Sequence, residues 1–454
     1  MFELRRKIDH ILSEWRKDPE RKPMVVKGAR QIGKTYSISK FGRENYASFI
    51  SINFILQPEY LNIFNDGFDV DRIVKNISFI NPEFMFVEKD TLILFDELQE
   101  CPSCATSLKS FAVDGRYDVI CSGSLMGINY KEIESNAVGY KTDVDMYSLD
   151  FEEFLWAKGY SDSQIESLFE TMIRVQPLGK VEFKTLSDIF KDYMVVGGMP
   201  AVVDKYISQG NFSGTLQLQR QLLLDYREDI TKYANGLDKA KILNVYDHIS
   251  TFLAKDNKRF QISKIGRNSR NRDYVGVIDW LALAGIVNVC YSLQQPELPL
   301  NGNYNPDMYK LYYQDTGLLV ASLDDEAQED LRKNQNLGTY KGALYENIVG
   351  DMLVKQGYRL YYYRNEKSTV ELDFMIRDTQ SLVPLEVKAA DSTPRSLVKV
   401  TDGRIPDIHY GIKLCGSNIG FNGRFYTFPY FLTFMLRRFL SERNVDSHKY
   451  LDNV

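Results

Sequence analysis

The chain has few of the residues that build disulfide frameworks or zinc clusters. Its 454 residues include five cysteines and four histidines. An odd number of cysteines without framework spacing gives no disulfide scaffold. Cys101-Pro102-Ser103-Cys104 is one CxxC pair, but no second pair and no nearby histidine completes a zinc site. A turn at the start of a helix is the other reading of that pair. Positive charge is not in excess either. Lys plus Arg number 56 against 61 Asp plus Glu, a net charge of −5, so no global basic field draws in nucleic acid. Any contact with DNA or RNA must come from a local patch. Long apolar runs are missing. Met1 to Lys7 lacks the apolar stretch of a signal peptide, and the run from Phe428 to Leu436 is too short to span a bilayer. These absences predict a cytoplasmic protein with reduced thiols and no membrane partner. Low-complexity linkers and internal repeats are also lacking. A content of 44% hydrophobic and 26% charged residues suits a soluble globular chain, and the length calls for two to three domains.

Against this ordinary background one segment carries chemistry. Gly28-Ala29-Arg30-Gln31-Ile32-Gly33-Lys34-Thr35 follows G-x-x-x-x-G-K-[ST] at every fixed position. The glycines let the backbone turn tightly and aim its N–H groups at phosphate oxygens. Lys34 can reach the β- and γ-phosphates, and the Thr35 hydroxyl can ligate Mg²⁺. Met24-Val25-Val26 reads as a strand entering the loop, and Tyr36 to Phe41 as the helix whose positive end faces the phosphates. The expected ligand is ATP with Mg²⁺.

A second segment, Thr91-Leu92-Ile93-Leu94-Phe95-Asp96-Glu97, is an apolar run ending in two acids, as in a strand buried on both faces of a parallel sheet. Asp96 would hold the Mg²⁺ and Glu97 polarise the attacking water. A third strand, Tyr117 to Cys121, runs into Ser122-Gly123-Ser124. Either serine could touch the γ-phosphate or the lytic water, or the segment is only a Ser-Gly turn.

The pattern along the chain predicts four parts. Residues 1–150 read as a phosphate-loop ATPase core, opening on an amphipathic helix with Ile8, Ile11, Leu12 and Trp15 and closing on a last strand, Tyr147 to Phe151. Residues 151–235 read as a helical lid interrupted by Gly197-Gly198-Met199-Pro200. Residues 236–303 read as helix, helix, turn, helix, strand, the order of a winged helix. Lys264, Arg267, Arg270 and Arg272 crowd one stretch there, either to meet DNA or as a solvated face or adaptor surface. Residues 304–454 carry a helix with Glu346, then strands Leu360 to Arg364, Val370 to Ile376 and Leu382 to Lys388. Period-two alternation puts Glu371 with Asp373 and Glu386 with Lys388 on common faces. Asp373 and Glu386, with Glu346, could converge on one Mg²⁺, and Lys388 could stabilise charge beside it, as phosphodiester cleavage requires. Surface charge on strands is the plain alternative.

These motifs permit a family statement. Residues 22 to 235 resemble the AAA-type ATPases of the prokaryotic signal-transduction, STAND-related and archaeal-ATPase-like group. The resemblance rests on GARQIGKT at 28–35, LILFDELQECP at 92–102, CSGS at 121–124, SLDFEEFL at 148–155 and GGMP at 197–200. The C-terminal part resembles the restriction-endonuclease-like PD-(D/E)xK domain often fused to them. YQDTGLL at 313–319, GALYEN at 342–347, ELDFMI at 371–376 and LEVKA at 385–389 carry it. The resemblance implies nucleotide binding by residues 28–35, with Mg²⁺ and hydrolysis roles for Asp96 and Glu97 and a γ-phosphate sensor at Ser122 or Ser124. It maps a nuclease-like pattern onto Glu346, Asp373, Glu386 and Lys388. Arg227 is a candidate arginine finger or a helix-surface ion pair; a finger supplied in trans would require a homo-oligomer. The expected fold is α/β: a parallel phosphate-loop sheet with a helical lid, a winged-helix middle domain and a C-terminal α/β nuclease-like domain. The expected function is an ATPase whose nucleotide state controls that last domain, or an ATP-dependent adaptor in which the nuclease fold is inactive.

Overall fold

A computed structural model describes residues 3–123, 137–234, 239–255, 258–266, 270–274, 276–333, 335–338, 340–367, 369–389 and 392–451. The chain forms two compact units. One holds Arg5–Ser148 and Leu283–Ile286; the other holds Leu149–Ala282 and Val287–Val454, with Met1–Leu4.

The first unit is built on five parallel strands: β1 (Met24–Lys27), β2 (Ser48–Asn53), β3 (Thr91–Asp96), β4 (Asp118–Gly123) and β5 (Thr142–Asp145). Their spatial order is β2-β3-β4-β1-β5. Helices α1 (Lys7–Lys17), α2 (Lys34–Asn45), α3 (Val70–Ile80) and α4 (Pro102–Asp114) accompany them. Parallel strands need crossovers, and those crossovers cover both faces of the sheet, so the inner strands read as continuous apolar runs. β3 is the extreme case, with every residue buried. Phe95 stacks on Phe54 at 5.8 Å between ring centres and meets Phe111 at 6.2 Å. In α1 the residues Ile8, Leu12 and Trp15 are buried as their spacing predicts, but Ile11 stays 40% exposed.

Cys101 precedes α4, and its carbonyl accepts the Cys104 N–H at 3.0 Å. The CxxC pair is therefore a helix-start turn with both sulfurs in the core, as are Cys121, Cys290 and Cys415. Burial pushes the Cys101 thiol up to about 11 and raises Cys104 as well.

The expected last strand, Tyr147 to Phe151, is not one. The edge strand is β5, earlier in the chain, and Asp150 starts a helix instead. Its carboxylate accepts from Glu153 N at 2.9 Å, while Glu153 accepts from Asp150 N at 3.0 Å. This reciprocal capping box outweighs the alternation of apolar residues around it.

The second unit begins with helices α5 (Phe151–Ala157), α6 (Asp162–Ile173), α7 (Lys180–Val196), α8 (Pro200–Gln209), α9 (Thr215–Tyr233) and α10 (Lys239–Leu253). Two short 3₁₀ turns and α11 (Val277–Leu283) lead into β6 (Val287–Leu293) and β7 (Tyr304–Tyr313), an antiparallel pair. After α12 (Thr316–Ala321), α13 (Ala327–Lys333) and α14 (Tyr340–Lys355) come β8 (Leu360–Arg364), β9 (Glu371–Leu372), β10 (Phe374–Arg377) and β11 (Leu382–Val387). Then follow α15 (Arg395–Val400), β12 (Gly411–Cys415), β13 (Gly420–Phe421), β14 (Phe425–Pro429) and α16 (Leu436–Leu451). One sheet has the order β7-β6-β8-β9 and the other β10-β11-β12-β14-β13.

The expected parts at 151–235, 236–303 and 304–454 pack as this single unit. The boundary at 303/304 falls between the paired strands β6 and β7, and β6 also pairs with β8. The second helix expected near residue 262 is only a 3₁₀ turn, Ile262–Lys264. Two glycine motifs interlock here. The Gly198 N–H donates to Asp315 Oδ2 at 2.7 Å, and Asp315 Oδ1 accepts from Gly317 N at 3.0 Å. A Cβ on Gly198 would lie 2.0 Å from the Leu149 carbonyl oxygen, and one on Gly317 would lie 2.5 Å from that of Val196. The obstacle at Gly198 is backbone, so it cannot swing aside. Gly198→Ala is expected to destabilise this unit by about 1–3 kcal/mol, read as a lower urea midpoint; an unchanged midpoint would show that the clasp is dispensable.

Candidate functional site

The loop at 28–33 joins β1 to α2 and takes its shape from positive φ values at Gly28 (150°), Gln31 (63°) and Gly33 (92°). A Cβ on Gly28 would lie 2.1 Å from the Met146 carbonyl oxygen, so β5 and its exit allow only glycine there. Gln31 holds its left-handed conformation without that freedom, a strain that clusters at functional loops. Ala29 and Ile32 anchor the loop in the core, and Arg30 and Gln31 point out. From beneath, the Arg6 guanidinium donates to the Ile32 carbonyl at 2.9 Å and to the Tyr147 carbonyl at 2.7 Å. Arg6 carries no local signal of this role.

Lys34, the first residue of α2, is buried with its ammonium donating to the carbonyls of Gly28 (2.9 Å) and Ala29 (2.6 Å). Burial pushes it down to about 8, against the opposing pull of Glu97 and Asp96. Asp96, 4% exposed at the end of β3, is a hub. Its Oδ2 accepts from Thr35 Oγ1 at 3.0 Å and Asn53 Nδ2 at 2.9 Å, and its Oδ1 accepts from Ser122 Oγ. Register explains the meeting, because Asn53, Asp96 and Ser122 are neighbours across three parallel strands. Asn53 carries no local signal of this role: it closes a strand that also holds Ser48 and Ser51. Glu97 follows in a left-handed conformation (φ 59°), accepts from the Gln99 amide, and has its carboxyl raised by burial. Ser124 lies outside the described residues.

The loop, a buried cation, a hydroxyl and a carboxylate thus stand at the carboxyl ends of parallel strands. This donor set fits a nucleotide triphosphate with Mg²⁺: N–H groups and an ammonium for phosphate, oxygens for a hard cation. Arg227 is elsewhere engaged. It sits on α9 and pairs with Asp247 of α10, the ion-pair alternative for that residue.

The C-terminal constellation is arranged differently from expectation. The strand expected over Val370 to Ile376 breaks at Asp373, whose Oδ2 accepts the Val387 N–H at 2.8 Å. Glu386 pairs with Lys388 at 2.6 Å and accepts from Leu397 N at 2.9 Å. Glu346 is taken up by Lys258, by Tyr312 Oη at 3.2 Å and by Lys310 at 3.6 Å. Among the described residues no set of three His, Cys, Asp or Glu side chains is placed to hold a metal ion. Of the three carboxylates expected to share a Mg²⁺, Glu346 is faced by Lys258 and Lys310, Glu386 by Lys388, and Asp373 by the Val387 N–H. Burial and the nearby Glu346 push Asp373 up to about 7. Burial also opposes charge on Glu346, yet Lys258 and Lys310 hold it below the usual carboxylate range. Lys310, fully buried, stays charged because Glu346, Glu371 and Asp373 outweigh its desolvation.

Of the basic stretch, Lys264 and Arg270 are exposed, while Arg267 and the side chain of Arg272 lie outside the described residues. No described helix is long and apolar enough to cross a membrane.

Residues 20–155 match the family model of an AAA domain. Residues 187–329 and 341–427 match two models described as domains of unknown function, DUF8612 and DUF4143. No curated protein matches the chain significantly. Among solved structures, the Walker-type ATPase paby2304 of Pyrococcus abyssi is 14% identical, with 70% of this chain and 96% of that chain covered and a TM-score of 0.42. The Aeropyrum pernix ORC1 protein in complex with DNA is 10% identical over 72% of this chain and 90% of that one, TM-score 0.31. AMPPCP-bound DnaA from Aquifex aeolicus is 13% identical over 62% and 80%, TM-score 0.29. The first unit thus carries an ATPase-like AAA domain with a parallel phosphate-loop sheet.

Burial, which lowers the Lys34 ammonium to about 8, makes anion binding pH-dependent. Below that pH the ammonium is already present, and above it binding must take up a proton. Above about pH 7, where the terminal phosphate is fully ionised, calorimetry should show ATP affinity level to about pH 8 and then falling by roughly tenfold per pH unit, a slope absent in Lys34→Met. A level profile in the unsubstituted protein would contradict this.

Proposed function

We propose that this chain binds Mg²⁺-ATP in the loop at 28–35 and hydrolyses it, and that its nucleotide state governs the C-terminal unit. The observation that carries the reading is the Asp96 carboxylate, which gathers Thr35, Ser122 and Asn53 beside the buried ammonium of Lys34. In this reading the N–H groups of Gly28, Ala29, Arg30, Gln31, Ile32 and Gly33 cradle phosphate, and Lys34 neutralises it. Thr35 and Asp96 would hold the Mg²⁺, which when bound offsets phosphate charge. Glu97, its carboxyl raised by burial, orients and deprotonates the attacking water. Ser122, fully buried against Asp96, reports the γ-phosphate, with Ser124 as the alternative sensor. With Arg227 tied to Asp247, an arginine finger would come from a second copy, which makes a homo-oligomer the active form.

Lys34→Ala is expected to lower ATP turnover by at least about 100-fold, and Glu97→Gln to do the same while still binding ATP. Turnover that survives in Lys34→Ala sinks the reading.

For the C-terminal unit a specific observation favours the adaptor over the nuclease. Three lysines, Lys258, Lys310 and Lys388, already balance Glu346 and Glu386, and a cleavage site needs carboxylates open to a cation. The order of α10, two short turns, α11 and the β6–β7 hairpin supports a winged-helix reading of this segment, with the hairpin as wing. DNA or RNA held there would be bound and not cut. Single- and double-stranded DNA and RNA should remain intact with the purified protein and Mg²⁺ or Mn²⁺. Cleavage that disappears in Asp373→Asn would restore the nuclease.

A further inference from the structure

A cleft in the second unit is unlike the rest of this acidic chain. It lies where the carboxyl ends of the parallel strands β6 and β8 meet the start of β7, and encloses about 530 Å³. Carboxyl ends of adjacent parallel strands are where α/β folds place ligands, and the volume is that of a small-molecule site. Its floor is the buried ring of Tyr362 with Leu293 and Met308. Its walls carry Arg259 and Arg364, the exposed amides of Gln294 and Gln295, and one acid, Glu366.

The charge beneath the cleft is organised. Arg364 lies 3.6 Å from Glu371, Glu371 lies 3.2 Å from Lys310, and the Lys310 ammonium sits 4.9 Å from the centre of the Tyr362 ring. A fully buried cation therefore backs the aromatic floor, and two guanidiniums stand at its rim. Guanidinium forks match phosphate oxygens. The half-buried Met308 thioether offers a planar heterocycle an apolar contact, and the exposed side-chain amides of Gln294 and Gln295 read the donor and acceptor edge of a base. A simple inorganic anion would use only the arginines, and a fatty acid would leave the amides unpaired.

We infer that this cleft binds a nucleoside phosphate, independently of the phosphate loop in the other unit. The same chemistry is offered by a free nucleotide or by a single-stranded nucleic-acid segment.

The test uses the full-length chain carrying Lys34→Ala, so that the loop at 28–35 contributes little. AMP and ADP are titrated by calorimetry, and a fluorescent single-stranded oligonucleotide by anisotropy. Binding of either probe is expected, and preference for the oligonucleotide or for the free nucleotides identifies the source. Adding Arg259→Met and Arg364→Met should weaken that binding at least about tenfold. Because Arg364 also pairs with Glu371, a second variant changes only exposed positions: Gln294→Glu with Gln295→Glu should weaken binding by electrostatic repulsion with an unchanged melting temperature. The inference is overturned if neither probe binds to the Lys34→Ala protein, or if the glutamate variant binds as tightly as its parent. ATP turnover plays no part in this readout, so its loss or survival bears only on the phosphate loop.

Discussion

A carboxylate at the end of a strand with no solvent face constrains the first unit. Every residue of β3 is buried, so Asp96 cannot be served by bulk water. An isolated buried charge costs several kcal/mol, and only hydrogen-bond donors or cations offset it. Those donors come from the start of α2 and the neighbouring strands β2 and β4. They converge because the strands are parallel and in register, with their carboxyl ends on one edge of the sheet. The need to satisfy Asp96 and the assembly of the candidate nucleotide site are thus one arrangement. Arg6 serves the same edge by joining the Ile32 carbonyl of the loop to the Tyr147 carbonyl beyond β5.

The second unit depends on close backbone approach instead. Gly197 and Gly198 end α7 against Asp315 and Gly317 of α12, and side chains at those glycines would collide with carboxylate or carbonyl oxygens. Leu149 adds to the same knot, its carbonyl accepting from Tyr193 at 2.7 Å and Lys355 at 3.1 Å. Such contacts tie the helical segment to the C-terminal sheets as one body. Lysine has a related part in the C-terminal segment, where the ammonium groups of Lys258 and Lys310 sit against the buried carboxylate of Glu346. A divalent ion and a pair of lysines solve the same electrostatic problem, but only the first leaves an open coordination position for a substrate.

Much of this was legible in the sequence. The phosphate loop, β3 and its two acids, the helix that carries Glu346, β8 and β11 stand where their patterns predict. Each of these signals is local, set by glycines in a tight turn, an unbroken apolar run or helical spacing. The failures have physical causes too. Residues 147–151 alternate like a strand, but the capping box at Asp150 and Glu153 starts a helix at Phe151 and leaves 147–149 as a connection. A boundary drawn at 303/304 cut a hairpin, because the pairing of β6 with β7 leaves no mark in either strand alone. Asn53 and Arg6 escaped notice because their partners are distant in sequence.

The amino-acid sequence by itself determined which residues form the tight glycine-bounded loop, which strand is buried on both faces, and where charge is available. Neighbouring residues decide such things through backbone freedom and hydrophobic period. Only the tertiary structure decided how the charges are paired. Asp96 gathers hydroxyl and amide donors beside Lys34, whereas Glu346 is met by Lys258 and Lys310. Pairing is a matter of distance and shared burial in three dimensions, and a lysine 88 residues away can neutralise a carboxylate whose partner the local pattern does not reveal.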